Sequence, residues 1–168
     1  MRLNLKDIIY VPGASVPFEF QLDLSELEFN GERPFAEPVE VSGRVRNMAG
    51  ALVLESVADT TLHVLCDRCT KPFTKKLHVP IDTLVATELA DEESEDEIVL
   101  TDGDVLDVGE VATTAVILAM ESKNLCSEDC KGICFGCGVN LNEGTCRCKP
   151  EVDPRLAALA QLLEDKSE

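Results

Sequence analysis

Between residues 16 and 22 the chain reads VPFEFQL, with Val16, Phe18, Phe20 and Leu22 on one set of alternate positions and Glu19 and Gln21 on the other. Successive side chains of an extended backbone leave opposite faces, so this alternation predicts a strand with one buried face. Asn30-Gly31 then marks a turn. The pattern returns at 39–47 (Val39, Val41 and Val45 inward), at 51–57, at 60–66 (Leu62 and Val64 inward) and at 73–83 (Leu77, Val79 and Ile81). Several short strands joined by turns predict an antiparallel sheet or barrel.

The period changes at Asp107. With Glu110 three residues on, Asp107 has the form of a capping box, and Val108, Val111, Ala112, Ala115, Leu118 and Ala119 recur at helical spacing up to Lys123. This pattern predicts a helix that closes one side of the sheet and delivers the chain to Cys126. A second helix is predicted from Asp153 as N-cap and Pro154 at the first helical position, with Leu156, Leu159, Ala160 and Leu163 on one face for packing or docking. Residues 88–97 are mostly acidic and without pattern, which predicts a solvated loop. Asp102, Asp104 and Asp107 lack the spacing and terminal glutamate of an EF-hand, so they are not read as calcium ligands. The expected class is α+β: a mainly antiparallel β domain with a closing helix over residues 1–123, then a cysteine-rich zinc-binding segment with a C-terminal helix over 124–168.

Six of the eight cysteines fall between Cys126 and Cys148. Cys134 and Cys137 with Gly138 behind them form a C-x-x-C-G turn, in which two sulfurs converge on one ion and glycine takes a backbone angle that other residues resist. Cys146 and Cys148 share one face of an extended segment, and Cys126 and Cys130 one side of a helical turn. Cys66 and Cys69 flank Asp67 and Arg68 between two strand-like runs, a second C-x-x-C turn at a hairpin tip. Four thiolates complete the tetrahedral shell of a closed structural zinc site. The preferred partition gives Cys66, Cys69, Cys126 and Cys130 to one zinc and Cys134, Cys137, Cys146 and Cys148 to the other. A cross-braced set, with Cys66 and Cys69 joining Cys134 and Cys137, stays open because spacing does not fix connectivity.

Charge narrows the partners. With 32 acidic and 15 basic residues the formal net charge is −17, which argues against broad, charge-driven binding to a nucleic-acid backbone. The bases Arg68, Lys71, Lys75, Lys76, Lys123, Lys131, Arg147 and Lys149 lie near the cysteines in sequence. Of these, Arg68, Lys71, Lys75 and Lys76 are the candidate partner surface; the competing reading is that they offset thiolate charge. The N-terminal residues contain no apolar run of signal-peptide length, and the longest such run, residues 115–120, falls far short of the ~20 needed to cross a bilayer. A soluble, cytoplasmic protein is expected, in a compartment where thiols stay reduced and clustered cysteines favour metal over disulfides.

Catalytic chemistry is hard to place. The only histidines, His63 and His78, fall on the strand face opposite the apolar one, and there is no G-x-S-x-G elbow, phosphate-cradling loop or H-E-x-x-H helix. Tryptophan is absent and Tyr10 is the single tyrosine, which disfavours a base-stacking platform. No enzymatic activity is expected.

Several motifs together resemble the YceD family, associated with accumulation of large-subunit ribosomal RNA. They are Cys66-x-x-Cys69 with Arg68 inside it, LCSEDCKGIC from Leu125 to Cys134, Cys137 with Gly138, Asn140, Leu141 and Asn142, and Asp153-Pro154-Arg155. Phe135 departs from the proline expected in that knuckle, a position that supplies no ligand. The resemblance implies a non-enzymatic ribosome biogenesis factor supporting large-subunit ribosomal RNA processing or accumulation, with zinc as its cofactor. Its partner would be the pre-ribosomal large subunit, through ribosomal RNA or basic ribosomal proteins, with neither a membrane nor a small-molecule substrate. The rival readings are a zinc-ribbon nucleic-acid-binding regulator and a thiol-redox or zinc-dependent enzyme.

Overall fold

The computed structural model describes residues 1–87 and 98–148. The expected acidic loop at 88–97, the helix from Asp153 and the base Lys149 lie outside the described residues. The chain divides into two compact units, one formed by Met1–Leu65 with Pro72–Asn124 and the other by Cys66–Lys71 with Leu125–Glu168.

The first unit contains β1 (Arg2–Asn4), α1 (Lys6–Ile9), β2 (Ser15–Leu22), β3 (Val39–Met48), β4 (Ala51–Leu65), β5 (Pro72–Ala86), β6 (Ile98–Leu100), β7 (Val105–Asp107) and α2 (Val108–Ala119). The five-stranded sheet has the order β2-β3-β4-β5-β6, antiparallel except for the parallel β5–β6 pair; β1 and β7 form a separate antiparallel pair. Among the described residues β2 and β6 each bond one neighbour, so of the expected sheet or barrel it is an open sheet. Among the described residues the protein is sheet-dominated, with one helix, α2, longer than a turn or so.

Two strands expected at 51–57 and 60–66 are a single strand, β4, which pairs with β5 along its length. Ala58, Asp59 and Thr60 weaken the hydrophobic signal, but none of them breaks an extended backbone, and Leu52, Leu54, Ala58, Leu62 and Val64 all remain buried on one face. Ala49 and Gly50 close the β3–β4 hairpin with φ of 54° and 102°, the left-handed pair that suits the right-handed twist of the strands. Gly43 lies opposite Ser56, and a Cβ there would come within 2.3 Å of the Ser56 Cβ. Only glycine lets the two strands approach so closely at this point.

Val39, Val41 and Val45 of β3 and Leu54 of β4 are fully buried, as expected for the inward face, and they join Leu5, Phe35, Leu106, Val108, Ala112 and Val116 in one core. The Asp107 carboxylate caps α2, its Oδ1 accepting from the backbone N–H groups of Gly109 (3.1 Å) and Glu110 (3.2 Å). The helix stops at Ala119 rather than Lys123, and Leu118 is 80% exposed, so its buried stripe is narrower than expected and runs through Val108, Ala112 and Val116. Among the described residues Asn47 is the more deeply buried of two buried polar residues, the other being Ser56. Its Nδ2 donates to the carbonyls of Ile8 and Ile9, both at 2.8 Å, and its Oδ1 accepts from Gly50 N–H at 2.8 Å, tying the N-terminal segment to the hairpin turn.

Candidate metal centres

The described residues of the second unit are arranged in turns. Cys66 N–H donates to the Lys71 carbonyl (3.0 Å) and Thr70 N–H to the Cys66 carbonyl (2.8 Å), with Thr70 at a left-handed φ of 56°. These bonds fold the C-x-x-C segment back so that Cys66 and Cys69 face inward and are buried. Arg68 between them braces the rest of the set. Its Nη1 donates to the carbonyls of Cys130 (2.9 Å) and Glu128 (3.3 Å), while its own carbonyl accepts from Ile133 N–H (3.0 Å). Gly132 makes that approach possible, since a Cβ there would lie 2.9 Å from the Arg68 carbonyl oxygen.

The next turn repeats the device. Gly138 N–H donates to the Cys134 carbonyl (2.8 Å) and Cys134 N–H to that of Val139 (2.9 Å), with Gly138 at φ 73°. Two asparagines complete it. Asn140 Oδ1 accepts from the Asn142 backbone N–H (3.0 Å) and from Asn142 Nδ2 (2.8 Å), and Asn142 Oδ1 accepts from Lys131 N–H (2.8 Å).

The sulfurs fall into two sets, Cys66, Cys69, Cys126 and Cys130, and Cys134, Cys137, Cys146 and Cys148, with the four Sγ atoms of each set within 4.8 Å of one another. These groups have the composition of the preferred partition; Cys66 and Cys69 are not grouped with Cys134 and Cys137. Individual separations are 3.8 Å for Cys66–Cys130, 3.6 Å for Cys69–Cys126, 3.5 Å for Cys137–Cys146 and 3.2 Å for Cys134–Cys146. A disulfide would need about 2.0 Å. Four sulfurs each about 2.3 Å from a central zinc stand roughly 3.8 Å apart, so the donor set and its spacing fit a tetrahedral ion. N–H groups also point at the sulfurs: Gly136 N–H at Cys134 (3.4 Å), Cys148 N–H at Cys146 (3.1 Å) and Asn142 Nδ2 at Cys130 (3.4 Å). Such donors stabilise thiolates around a metal.

Crowding the thiols divides their protons unevenly. Burial works against ionising Cys66, but backbone N–H groups of Cys126, Cys69 and Arg68 outweigh it and bring the thiol down to about 6. The neighbouring Cys69 sulfur and then burial push Cys126 up to about 12. In the other set the Cys146 thiol and two backbone N–H groups lower Cys134 to about 6, while the Cys146 and Cys137 sulfurs raise Cys148 to about 12. Each set thus ionises in part unaided, and a cation must draw off the remaining protons.

The expected partner surface is redistributed. Arg68 has its guanidinium on backbone carbonyls, and Lys75 pairs with Glu121 at 2.6 Å. Lys75 and Lys76 are consecutive in β5 and leave opposite faces of the sheet; Lys75 is half-buried and Lys76 exposed, as is Lys71. His63 and His78 are exposed, and His78 Nδ1 lies 2.6 Å from Asp59 Oδ1 on the outer face. The residues beside the cysteine sets whose structural role the sequence left unassigned are Arg68 as brace, Gly132, Asn140 and Asn142. Their signal was present as an N-x-N pair just after C-G and an arginine inside C-x-x-C.

Residues 54–163 match the family described as large ribosomal RNA subunit accumulation protein YceD. The chain belongs to this family. Uncharacterized proteins of Mycobacterium tuberculosis and Mycobacterium bovis are each 31% identical to it over 122 residues, covering 71% of this chain and 58% of the relative. A Zea mays protein named large ribosomal RNA subunit accumulation protein YCED homolog 1, chloroplastic, is 25% identical over 180 residues, covering 89% of this chain and 61% of the relative. The chain therefore spans about three fifths of the length of these relatives. No solved structure matches it. Among the described residues, no helix is long and apolar enough to cross a membrane.

Proposed function

We propose that this chain is a non-enzymatic ribosome biogenesis factor that supports processing or accumulation of large-subunit ribosomal RNA, its second unit held by two structural zinc ions. The observation that carries the reading is family membership over residues 54–163, joined to two all-cysteine sets. Cys66, Cys69, Cys126 and Cys130 would hold one ion and Cys134, Cys137, Cys146 and Cys148 the other. Zinc coordinated by four thiolates keeps no position for substrate or water, so the role it supplies is to fix the fold. Arg68, Gly136 and Asn142 then orient the loops and soften the negative charge on sulfur.

A chain of net charge −17 is suited to basic ribosomal proteins more than to bare RNA, and the proposed place of action is the pre-ribosomal particle in the cytoplasm. The experiment is depletion of the protein, followed by measurement of large- and small-subunit ribosomal RNA and sedimentation of a tagged chain. Large-subunit RNA should fall selectively, and the tagged chain should travel with large-subunit precursors. Unchanged RNA levels with the chain sedimenting free would sink the proposal.

A further inference from the structure

The two cysteine sets are not independent. Asn142 lies between Cys137 and Cys146 of the second set, yet its Nδ2 donates to the sulfur of Cys130 in the first at 3.4 Å. The same side chain accepts from Lys131 N–H at 2.8 Å, next to Cys130, and is held by Asn140 Oδ1 at 2.8 Å. Backbone bonds from Leu141 N–H to the Gly132 carbonyl (2.9 Å) and the Ile133–Asn140 bridge join the two segments again. The sets also differ in exposure: Cys66, Cys69 and Cys130 are buried, whereas Cys137 and Cys148 are exposed.

From this arrangement we infer that Asn142 is a positioning residue for the first metal centre that is delivered by the second, so that filling the second set raises the affinity of the first. The inference rests on reading both sets as metal centres. Closing the second set around an ion ties down the loop from Cys137 to Cys146, and with it the asparagine pair. The amide then offers a hydrogen bond to the Cys130 thiolate that a loose loop would not hold. Hydrogen bonds of this kind are worth about 10–100-fold in metal affinity. Linkage makes the coupling mutual, so the first ion strengthens the second by the same factor. The exposed second set exchanges its ion more readily, which makes the affinity of the buried set responsive to metal supply.

The test is cobalt titration of the full chain with a competing chelator, read by thiolate-to-cobalt absorption, with cadmium NMR to resolve the two sets. In Asn142→Ala two ions should still bind, the first set weakened about 10-fold or more. Asn142→Asp keeps an acceptor for Lys131 N–H but turns a carboxylate oxygen toward Cys130, so it should bind at least as weakly as the alanine variant. A role limited to bracing Lys131 would leave the aspartate variant near wild type, and that result would overturn the inference. In the double variant Cys146→Ser, Cys148→Ser the first set should show a similar loss, with no further loss when Asn142→Ala is added. Fully additive losses would also overturn it. The converse double variant, Cys66→Ser with Cys69→Ser, should weaken the second set by a matching factor even if the asparagine variants fold poorly. A wild-type chain that takes up no ion at all sinks the metal reading itself, a different result from two independent ions.

Discussion

The sheet unit and the cysteine-rich unit are stabilised by different means. The first buries Leu5, Phe35, Val39, Val41, Val45, Leu54, Leu106 and Val116 almost completely. At about 1.5–3 kcal/mol for each large apolar side chain, that core can hold an ordinary domain. In the second, the buried side chains among the described residues are those of Cys66, Cys69 and Cys130, while Phe135 is fully exposed and Val139 37% exposed. Those described residues bury little apolar surface, and the proposed structural zinc would supply stability there, about 10–16 kcal/mol in small sites. The comparison teaches that metal removal and core mutation should act on separate halves of the molecule.

The largest expected effect is therefore chelation. Stripping metal should abolish amide protection at Ile133 and Leu141, whose N–H groups bond Arg68 and Gly132, while amides in β3 and β4 stay protected. Hydrogen exchange with and without chelator checks this; joint loss, or no loss, breaks the comparison. The sign of the pH dependence follows from the thiols. Cys126 and Cys148, both raised to about 12, keep their protons at pH 7.5 without metal, so binding should release at least one proton per set. Affinity should accordingly fall as pH falls, measured by calorimetry in buffers of different ionisation enthalpy.

The next effect belongs to the sheet unit alone. Asn47→Ala removes two donors to the Ile8 and Ile9 carbonyls and the acceptor for Gly50 N–H, and should cost about 2–4 kcal/mol in denaturant unfolding, with metal content unchanged. A loss of metal in that variant would show that the two units do not separate as described.

Asn47 also illustrates what the sequence could reveal. Strict alternation made the inward faces of β2, β3 and β5 legible, and cysteine spacing was enough to suggest two sets of four. The length of β4 was hidden because alternation of small residues such as Ser56 and Ala58 carries little hydrophobic signal. Leu118 looked inward because helical spacing gives a stripe without its width, which depends on what packs against it. The roles of Asn47, Asn142 and Arg68 were hidden for a common reason: each depends on carbonyls or sulfurs distant in the chain, so a local motif such as N-x-N can mark the residue without naming that partner.

Arg68 gives a smaller and sharper test of the second unit. Its Nη1 holds two carbonyls at once, from Cys130 and Glu128, in an exposed setting, so Arg68→Ala should cost that unit about 1–2 kcal/mol and leave β-sheet unfolding unchanged. Arg68→Lys should recover only part of the loss, because the shorter side chain ends in a freely rotating ammonium rather than a planar group that fixes the directions of its N–H donors. Chelator competition measures both. Wild-type metal retention in the alanine variant would return Arg68 to the pool of free surface cations.

The smallest expected effect is at the helix that closes the sheet. Asp107 caps α2 through the N–H groups of Gly109 and Glu110, and the bond from Glu110, opposed in part by burial and aided by Arg2, holds its carboxyl below the usual range. A lowered carboxyl pKa means that the stabilisation is complete above the unfolded-state value of about 3.9 and is lost as pH falls through the folded-state value. Asp107→Ala should therefore destabilise the sheet unit by about 1 kcal/mol at pH 7, and the gap from wild type should shrink in acid, as pH falls below the unfolded-state value. Asp107→Asn keeps an acceptor for the two amides but loses the charge facing Arg2, 3.3 Å away, so it should fall between the two. Denaturant midpoints at pH 7 and in acid decide the matter: a gap independent of pH would assign the effect to the hydrogen bonds alone, with no contribution from the ionised carboxylate.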